Sequence, residues 1–167
     1  INGSTGGIGH YAVQIAKAYG ANVTAVCSGK NIEFVRSLGA NYVVAYDKEN
    51  IHQHTGMYDL IIDTNGNLTY EDYRRMGQRG VMVGFTSMRH MLSVMLKKSI
   101  GKFPIEQFTA TVNTSSLNTL ASLINERRVK VHIEKTYSYA DIPEAISYIE
   151  SMSTKGKVAM VWNDNLR

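Results

Sequence analysis

Within its first nine residues the chain carries Gly3-Ser4-Thr5-Gly6-Gly7-Ile8-Gly9, a glycine-dense turn that leads directly into a helical pattern. Few features restrict a fold as strongly. Glycines spaced this way let the backbone turn sharply, present its amides to a ligand and bring a helix against a strand. The run nearly fits G-x-G-x-x-G, with Ser4 in the first glycine slot and Gly6 and Gly9 in the other two. In such a loop Gly6 lets backbone amides approach a pyrophosphate, and Gly9 lets the helix pack close. Thr5, Gly7 and Ile8 complete it, and the helix N-terminus then faces the phosphates with free N–H groups and a partial positive charge. Glycine loops also make plain turns, so the surrounding pattern has to decide.

That pattern alternates between two periods. Residues 8–19 read as a helix, with Ile8, Ala12, Ile15, Ala16 and Tyr19 on one face and Gly20 as its stop. Strands are expected over 22–27, 42–46, 58–63 and 81–85, and helices over 31–38 and 68–76. Repeated strand-then-helix units built from near-continuous apolar strands call for a parallel sheet buried on both sides. The expected fold is therefore α/β: a Rossmann-type doubly wound parallel sheet with helices on both faces. Met88, Met91, Leu92 and Met95 form a helical stripe expected to face the core. Further on, a strand is expected over 103–112, a helix over 117–127, extended chain over 129–139 and a last strand over 157–162. Asp141 and Glu144 suggest a capping box, with Pro143 in the first turn. Only Ile1 and Asn2 precede the glycines, so the first strand is expected to be truncated and the chain to be a fragment.

Bulk properties narrow the function. The 167 residues suit one domain, and 44% hydrophobic content supports a core. No apolar run approaches the roughly 20 residues of a membrane span, and no signal peptide is visible. Cys27, the single cysteine, cannot form an internal disulfide, which makes a cytoplasmic setting the expectation. The net charge of +4 comes from scattered Lys and Arg, which argues against a nucleic-acid groove and suits an anionic cofactor.

The end of the second strand bears on which cofactor. NAD sites place an acid there for the ribose hydroxyls. This chain has Cys27-Ser28-Gly29-Lys30-Asn31, in which Ser28 can donate to a 2′-phosphate and Lys30 adds charge. NADP(H) is the expected cofactor.

The glycine loop also suits short-chain dehydrogenases, but their catalytic Y-x-x-x-K is absent: the residues four after Tyr42, Tyr46 and Tyr70 are Tyr46, Asn50 and Arg74. Other stretches follow in order: Gln14-Ile15-Ala16-Lys17, Gly20-Ala21, Val26-Cys27-Ser28, Arg36-Ser37-Leu38-Gly39-Ala40, Val43-Val44-Ala45-Tyr46, Tyr58-Asp59-Leu60-Ile61-Ile62-Asp63, Gly77-Gln78-Arg79-Gly80 and Lys155-Gly156-Lys157-Val158. Together they resemble the cofactor domain of medium-chain dehydrogenase/reductases, in the branch of quinone oxidoreductase-like and zinc-type alcohol dehydrogenase-like proteins. The resemblance implies that Ser28, Lys30, Tyr46 and Asn31 hold the adenosine 2′-phosphate. It places Asn65, Gly84 and Phe85 near the ribose and nicotinamide, and Lys157 near the pyrophosphate. Asn65 and Asn67 flank a glycine where Val-Gly is usual, a departure at the nicotinamide end. The resemblance further implies a cofactor domain over 1–128. Residues 129–167 would return towards a missing, mainly N-terminal substrate domain, where any zinc ligands would lie.

The remaining signals are weaker. His52 and His54 lack a third ligand nearby and read as a polar loop. His10 is expected at the surface, Cys27 as a small buried residue, and Asp63 as a group that satisfies backbone donors. No metal site and no catalytic acid or base are assigned. The expected function is an oxidoreductase passing hydride between NADPH and a quinone, enone, aldehyde or alcohol, with this chain alone inactive. A non-catalytic nucleotide-binding or redox-sensing module and an RNA-binding protein are the alternatives. Expected partners are a small-molecule substrate and, as a candidate, a second copy in a homodimer, without nucleic acid or membrane.

Overall fold

Parallel strands and helices alternate from the glycine loop onward. A computed structural model describes residues 1–56, 58–151 and 154–162. Its elements are α1 (Gly9–Ala18), β1 (Thr24–Cys27), α2 (Ile32–Ser37), β2 (Tyr42–Ala45), β3 (Ile61–Asp63), α3 (Tyr70–Met76), β4 (Gly80–Met82), α4 (Met88–Gly101) and β5 (Ile105–Gln107). After them come α5 (Thr114–Asn125), β6 (Ile133–Ser138), α6 (Ile142–Glu150) and β7 (Lys157–Val161). β1 pairs with β2, and β3 with β4 and β4 with β5, all parallel.

Ile1 and Asn2 join the two strand sets. Asn2 bridges both Val26 of β1 and Asp63 of β3. The ladder runs Ile1 N to Thr24 O at 2.7 Å, Val26 N to Ile1 O at 2.9 Å, Asn2 N to Ile62 O at 2.8 Å and Thr64 N to Asn2 O at 3.1 Å. The spatial order is β2-β1-(Ile1–Asn2)-β3-β4-β5, the Rossmann-type arrangement expected from the alternation. Between β1 and β3, beside Ile1, lies a cavity of about 590 Å³ with Ala16, Val23, Ile61 and Met76 in its walls.

Two apolar clusters hold these layers. Val13, Val23, Ala25, Cys27 and Val35 join α1 and α2 to β1. Ile61, Leu68, Tyr73, Met76, Met82, Val94 and Ile105 join α3 and α4 to β3, β4 and β5. β6 and β7 pair only with each other among the described residues, in parallel and joined by α6. Gln14 ties this unit to α1 by accepting from Lys130 N at 2.8 Å and donating to Lys130 O at 3.0 Å. Of the expected 129–167 segment, 152–153 and 163–167 lie outside the described residues. No helix among the described residues is long and apolar enough to cross a membrane.

Several local expectations are corrected. The inward face of α1 is Gly9, His10, Val13 and Gln14, while Ile8 and Tyr19 are exposed. Gly9 must lie against the loop backbone, which sets the roll of the helix and carries Val13, one turn on, inward. His10 is fully buried, not at the surface. In α4, Val94 is buried and Met91 and Met95 pack partly against the core, but Met88 and Leu92 point to solvent. Tyr58 makes only an isolated bridge to Gly77, so β3 starts at Ile61. Asp141 makes no side-chain cap, because the 3₁₀ turn over Tyr139–Asp141 leaves it at φ −101°, ψ 22° instead of extended.

The capping box is at α3 instead. Thr69 accepts from Asp72 N, and Asp72 Oδ2 accepts from Thr69 N at 2.9 Å. Arg75 donates to Asp72 Oδ1 at 2.6 Å, and His52 Nδ1 lies 2.9 Å from the same oxygen. Burial pushes the Asp72 carboxyl up, but the bonds from His52, Thr69 and Arg75 outweigh this and hold it below the usual range. The folded state therefore binds fewer protons here than the unfolded chain. The stabilisation is present above the unfolded pKa of about 3.9 and is lost as pH falls through the lower folded value. We expect Asp72→Asn to lose about 1.5–3 kcal/mol at pH 6, the contribution of hydrogen bonds to a charged group. Urea melts at pH 6 and pH 3 should show the gap between the two proteins narrowing in acid; a pH-independent gap would refute the assignment.

Candidate functional site: the carboxyl ends of the strands

The glycine loop crosses the carboxyl end of the first strand position. Ser4 is fully buried and faces the sheet, with its amide and hydroxyl both given to Val26 O at 3.1 and 2.8 Å. That anchors the loop but uses the polar groups of Ser4 inside the protein. Gly6 N turns back to Gly3 O at 3.2 Å, and Gly156 N donates to Thr5 O at 2.8 Å. Among the described residues the amides of Gly7 and Ile8 have no backbone partner. Ile8, the N-cap of α1, supplies no side-chain cap, and no acid stands in the first turn. The positive end of a ten-residue helix thus faces outward without an anion of its own.

Lys157 covers this point. Its Nζ lies 3.0 Å from where a Cβ on Gly7 would be. An ammonium, two free amides and a helix N-terminus converge on one patch of backbone, the donor set that a pyrophosphate requires. His10 sits directly behind, with Nδ1 2.9 Å from Gly6 O and Nε2 buried without a partner among the described residues. Burial, against the Gly6 carbonyl and with help from Lys157 and His132, lowers its basicity.

At the end of β1, Asn31 is buried and gives its amide to Ser28 Oγ at 3.0 Å, while its own Oδ1 has no partner among the described residues. Ser28 accepts in that bond, which leaves its hydroxyl proton free to donate. Lys30 is exposed, and Tyr46 is exposed at the end of β2. Cys27 is buried. Burial chiefly, and the Asp47 carboxylate next, push its thiol up to about 11, so it is no nucleophile. Sequence reasoning overlooked Asp47, whose Oδ1 accepts from Gly29 N at 2.7 Å. The strand pattern points to an acid only directly after the strand before Ser28, and the one present comes from the next strand.

At the end of β3, Asp63 is fully buried and organises the following loop. It accepts from Asn2 Nδ2 at 2.8 Å, from the amides of Asn65, Gly66 and Leu68 at 3.1, 2.8 and 3.1 Å, and from Tyr73 OH at 3.2 Å. Burial first, then the Asp63 charge, drive the Tyr73 hydroxyl far above its ordinary pKa, which keeps it a donor. Thr64 Oγ1 donates to Asn2 O at 2.8 Å, and Asn67 accepts from Asn2 Nδ2 at 2.7 Å. Gly66 crosses against the Gly84 and Phe85 backbone at φ +63°, where no Cβ would fit.

Thr5, Gly6, Tyr46 and Asn65 share one cleft of about 850 Å³ between the loops after the first strand position, β2 and β3. Asp47, His52, Thr64 and Thr86 also line it. Ser28, Lys30, Asn31, Gly84, Phe85 and Lys157 lie outside its walls. Open parallel sheets bind ligands at the carboxyl ends of their strands, where the strand order reverses. This cleft occupies that position, next to Asn2. Among the described residues, no group of three or more His, Cys, Asp or Glu could hold a metal.

Comparison with known proteins gives these features a family context. The zinc-binding dehydrogenase family matches residues 38–160. The mitochondrial NAD(P)H oxidoreductase RTN4IP1 of Mus musculus is 27% identical over 96% of this chain and 46% of its own length. The quinone oxidoreductase structure from Coxiella burnetii superposes with a TM-score of 0.80 at 22% identity, over 96% of this chain and 51% of that one. An Escherichia coli quinone oxidoreductase complexed with NADPH gives a TM-score of 0.75 at 22% identity, over 96% and 56%. The chain spans about half the length of the curated relatives it matches.

Proposed function

The chain belongs to the zinc-binding dehydrogenases, within the medium-chain dehydrogenase/reductases, and from that premise we propose that it is the NADPH-binding part of an oxidoreductase acting on a quinone, enone, aldehyde or alcohol. The observation that carries this reading is the uncapped N-terminus of α1 under Lys157, at the mouth of the strand-end cleft. A dinucleotide laid along the strand ends would put its pyrophosphate on the Gly7 and Ile8 amides and the Lys157 ammonium. Its adenosine half would run towards Ser28, Lys30 and Tyr46. Its nicotinamide half would run towards Asn65, Gly84 and Phe85.

When bound, the dinucleotide supplies the hydride. The chain's own part is to hold and orient it. Ser28 keeps its hydroxyl proton available to a ligand, because it accepts in the bond from Asn31. Asp63 fixes the loop carrying Asn65, and the Gly66–Gly84 crossing fixes the backbone beside it. Substrate contacts belong to the rest of the proposed enzyme, since positioning an acceptor needs a wall on its far side.

We expect NADPH to bind this chain several-fold more tightly than NADH. Titrations followed by the enhancement of reduced-nicotinamide fluorescence measure this directly. Tighter NADH binding would overturn the NADPH assignment, and no binding of either would overturn the dinucleotide reading.

A further inference from the structure

The loop after β2 sets a carboxylate against a backbone amide at the end of β1. Tyr46 N makes the last rung to Cys27 O at 3.0 Å, and the amides of Lys48 and Glu49 both return to Ala45 O, at 2.8 and 2.9 Å. This tight turn puts Asp47 at its tip. There Oδ1 accepts from Gly29 N at 2.7 Å. Gly29 is the residue between Ser28 and Lys30. A Cβ on it would stand 3.2 Å from both Asp47 carboxylate oxygens and 2.8 Å from Lys48 Cε. Among the described residues no Lys or Arg forms an ion pair with Asp47. Beside it, buried Asn31 keeps Ser28 oriented while its own Oδ1 has no partner among the described residues.

We propose that Asp47 is a specificity-determining residue that competes with the adenosine 2′-phosphate for the Gly29 amide and so reduces the advantage of NADPH over NADH. The inference rests on the NADPH reading above. A 2′-phosphate held by Ser28 and Lys30 needs the same backbone donor that Asp47 occupies, and it brings about two negative charges beside an unneutralised carboxylate. To bind, it must displace Asp47 and be stabilised by Lys30 and Lys48. A free 2′-hydroxyl has no such conflict, because it can donate to the carboxylate where it stands. Specificity is a difference between two affinities, and a repulsive group against one ligand changes it as effectively as a new contact to the other.

Two exposed substitutions separate the charge from the occupied amide. Asp47→Asn keeps an acceptor on Gly29 and removes the charge. Asp47→Ala also frees the amide. Kd values for NADPH, NADH, adenosine 2′,5′-bisphosphate and 5′-AMP would be measured on the full chain at low and high salt. We expect the NADPH-to-NADH affinity ratio to rise about fivefold in the Asn variant and tenfold or more in the Ala variant. The bisphosphate should follow NADPH, and 5′-AMP should bind no more tightly than to wild type, because it loses the acceptor for its 2′-hydroxyl. The Asn effect should shrink at high salt, because screening weakens charge repulsion but not shape. The Gly29 amide resonance should shift when the bisphosphate binds wild type. If wild type binds both cofactors but the ratio is unchanged in both variants, Asp47 does not discriminate and the dinucleotide reading stands. If wild type binds none of the four ligands, the reading and the inference fall together.

Discussion

Gly9→Ala is expected to lower the stability of the chain by about 3 kcal/mol, the upper range for forcing atoms into packed structure, and Gly9→Val by more. A Cβ at this position would run into the Gly3 carbonyl oxygen, with the Gly3 carbonyl carbon and Ser4 Cα each at 2.8 Å. These are backbone atoms tied to β1 through Ser4, so they cannot retreat as a side chain would. Relief requires α1 to lift from the sheet, which opens the cluster around Val13, Ala25 and Val35. Gly6 is the contrasting position. A Cβ there meets only Gly3 O, at an ordinary 3.7 Å. Gly6→Val should melt within a few degrees of wild type yet bind dinucleotide at least 100-fold more weakly, because its branches would fill the space a pyrophosphate needs. Thermal melts with cofactor titrations test both variants. A Gly9→Ala protein as stable as wild type would show that the helix is not held at this contact. A Gly6→Val protein with normal affinity would remove the glycine loop from the site.

Asp63→Ala is expected to lose about 4 kcal/mol. The carboxylate is fully buried and accepts from three backbone amides, one side-chain amide and one tyrosine hydroxyl. Alanine would leave the three backbone amides and the tyrosine hydroxyl without this acceptor, while Asn2 keeps its bond to Asn67, and a buried donor left unsatisfied costs about 1–3 kcal/mol. Some would recover water through the cleft, so the sum falls short of simple addition. Against a typical total of about 5–15 kcal/mol, this is a large fraction. At about 2–4 °C per kcal/mol for a chain of this size, the melting temperature should fall by roughly 8–16 °C. Asp63→Asn keeps the shape but turns an amide donor towards other donors, so it should fall between alanine and wild type. Because Asp63 also shapes the loop with Asn65 and Gly66, surviving protein should bind NADPH more weakly. A melting temperature within 2 °C of wild type would show that the donors find other partners.

Much of this was legible in the residues. A glycine run entering a helix, with strands and helices alternating behind it, leaves few arrangements other than a parallel sheet with a strand-end ligand site. Each signal is local: spacing, period and turn residues act over a few positions of chain. That locality explains why element types were read well while their lengths and faces were not. The inward face of α1 depends on which residue touches the loop, and the side of α4 that buries Val94 depends on where β4 and β5 lie. Periodicity alone places a stripe but does not say how a helix rolls against its neighbours.

What the sequence by itself determined was the fold class, the glycine loop and the lack of an acid after the strand that precedes Ser28. Only the tertiary structure decided how the site is completed, because its remaining parts come from distant positions. Lys157 reaches Gly7 from the last described strand, and Gln14 holds Lys130 across 116 residues. Asp63 draws Asn2 into the loop after β3, and Asp47 reaches the Gly29 amide from the neighbouring strand. Parallel strands bring residues from separate connections to one edge of the sheet, and pattern in one dimension carries no record of which of them meet there.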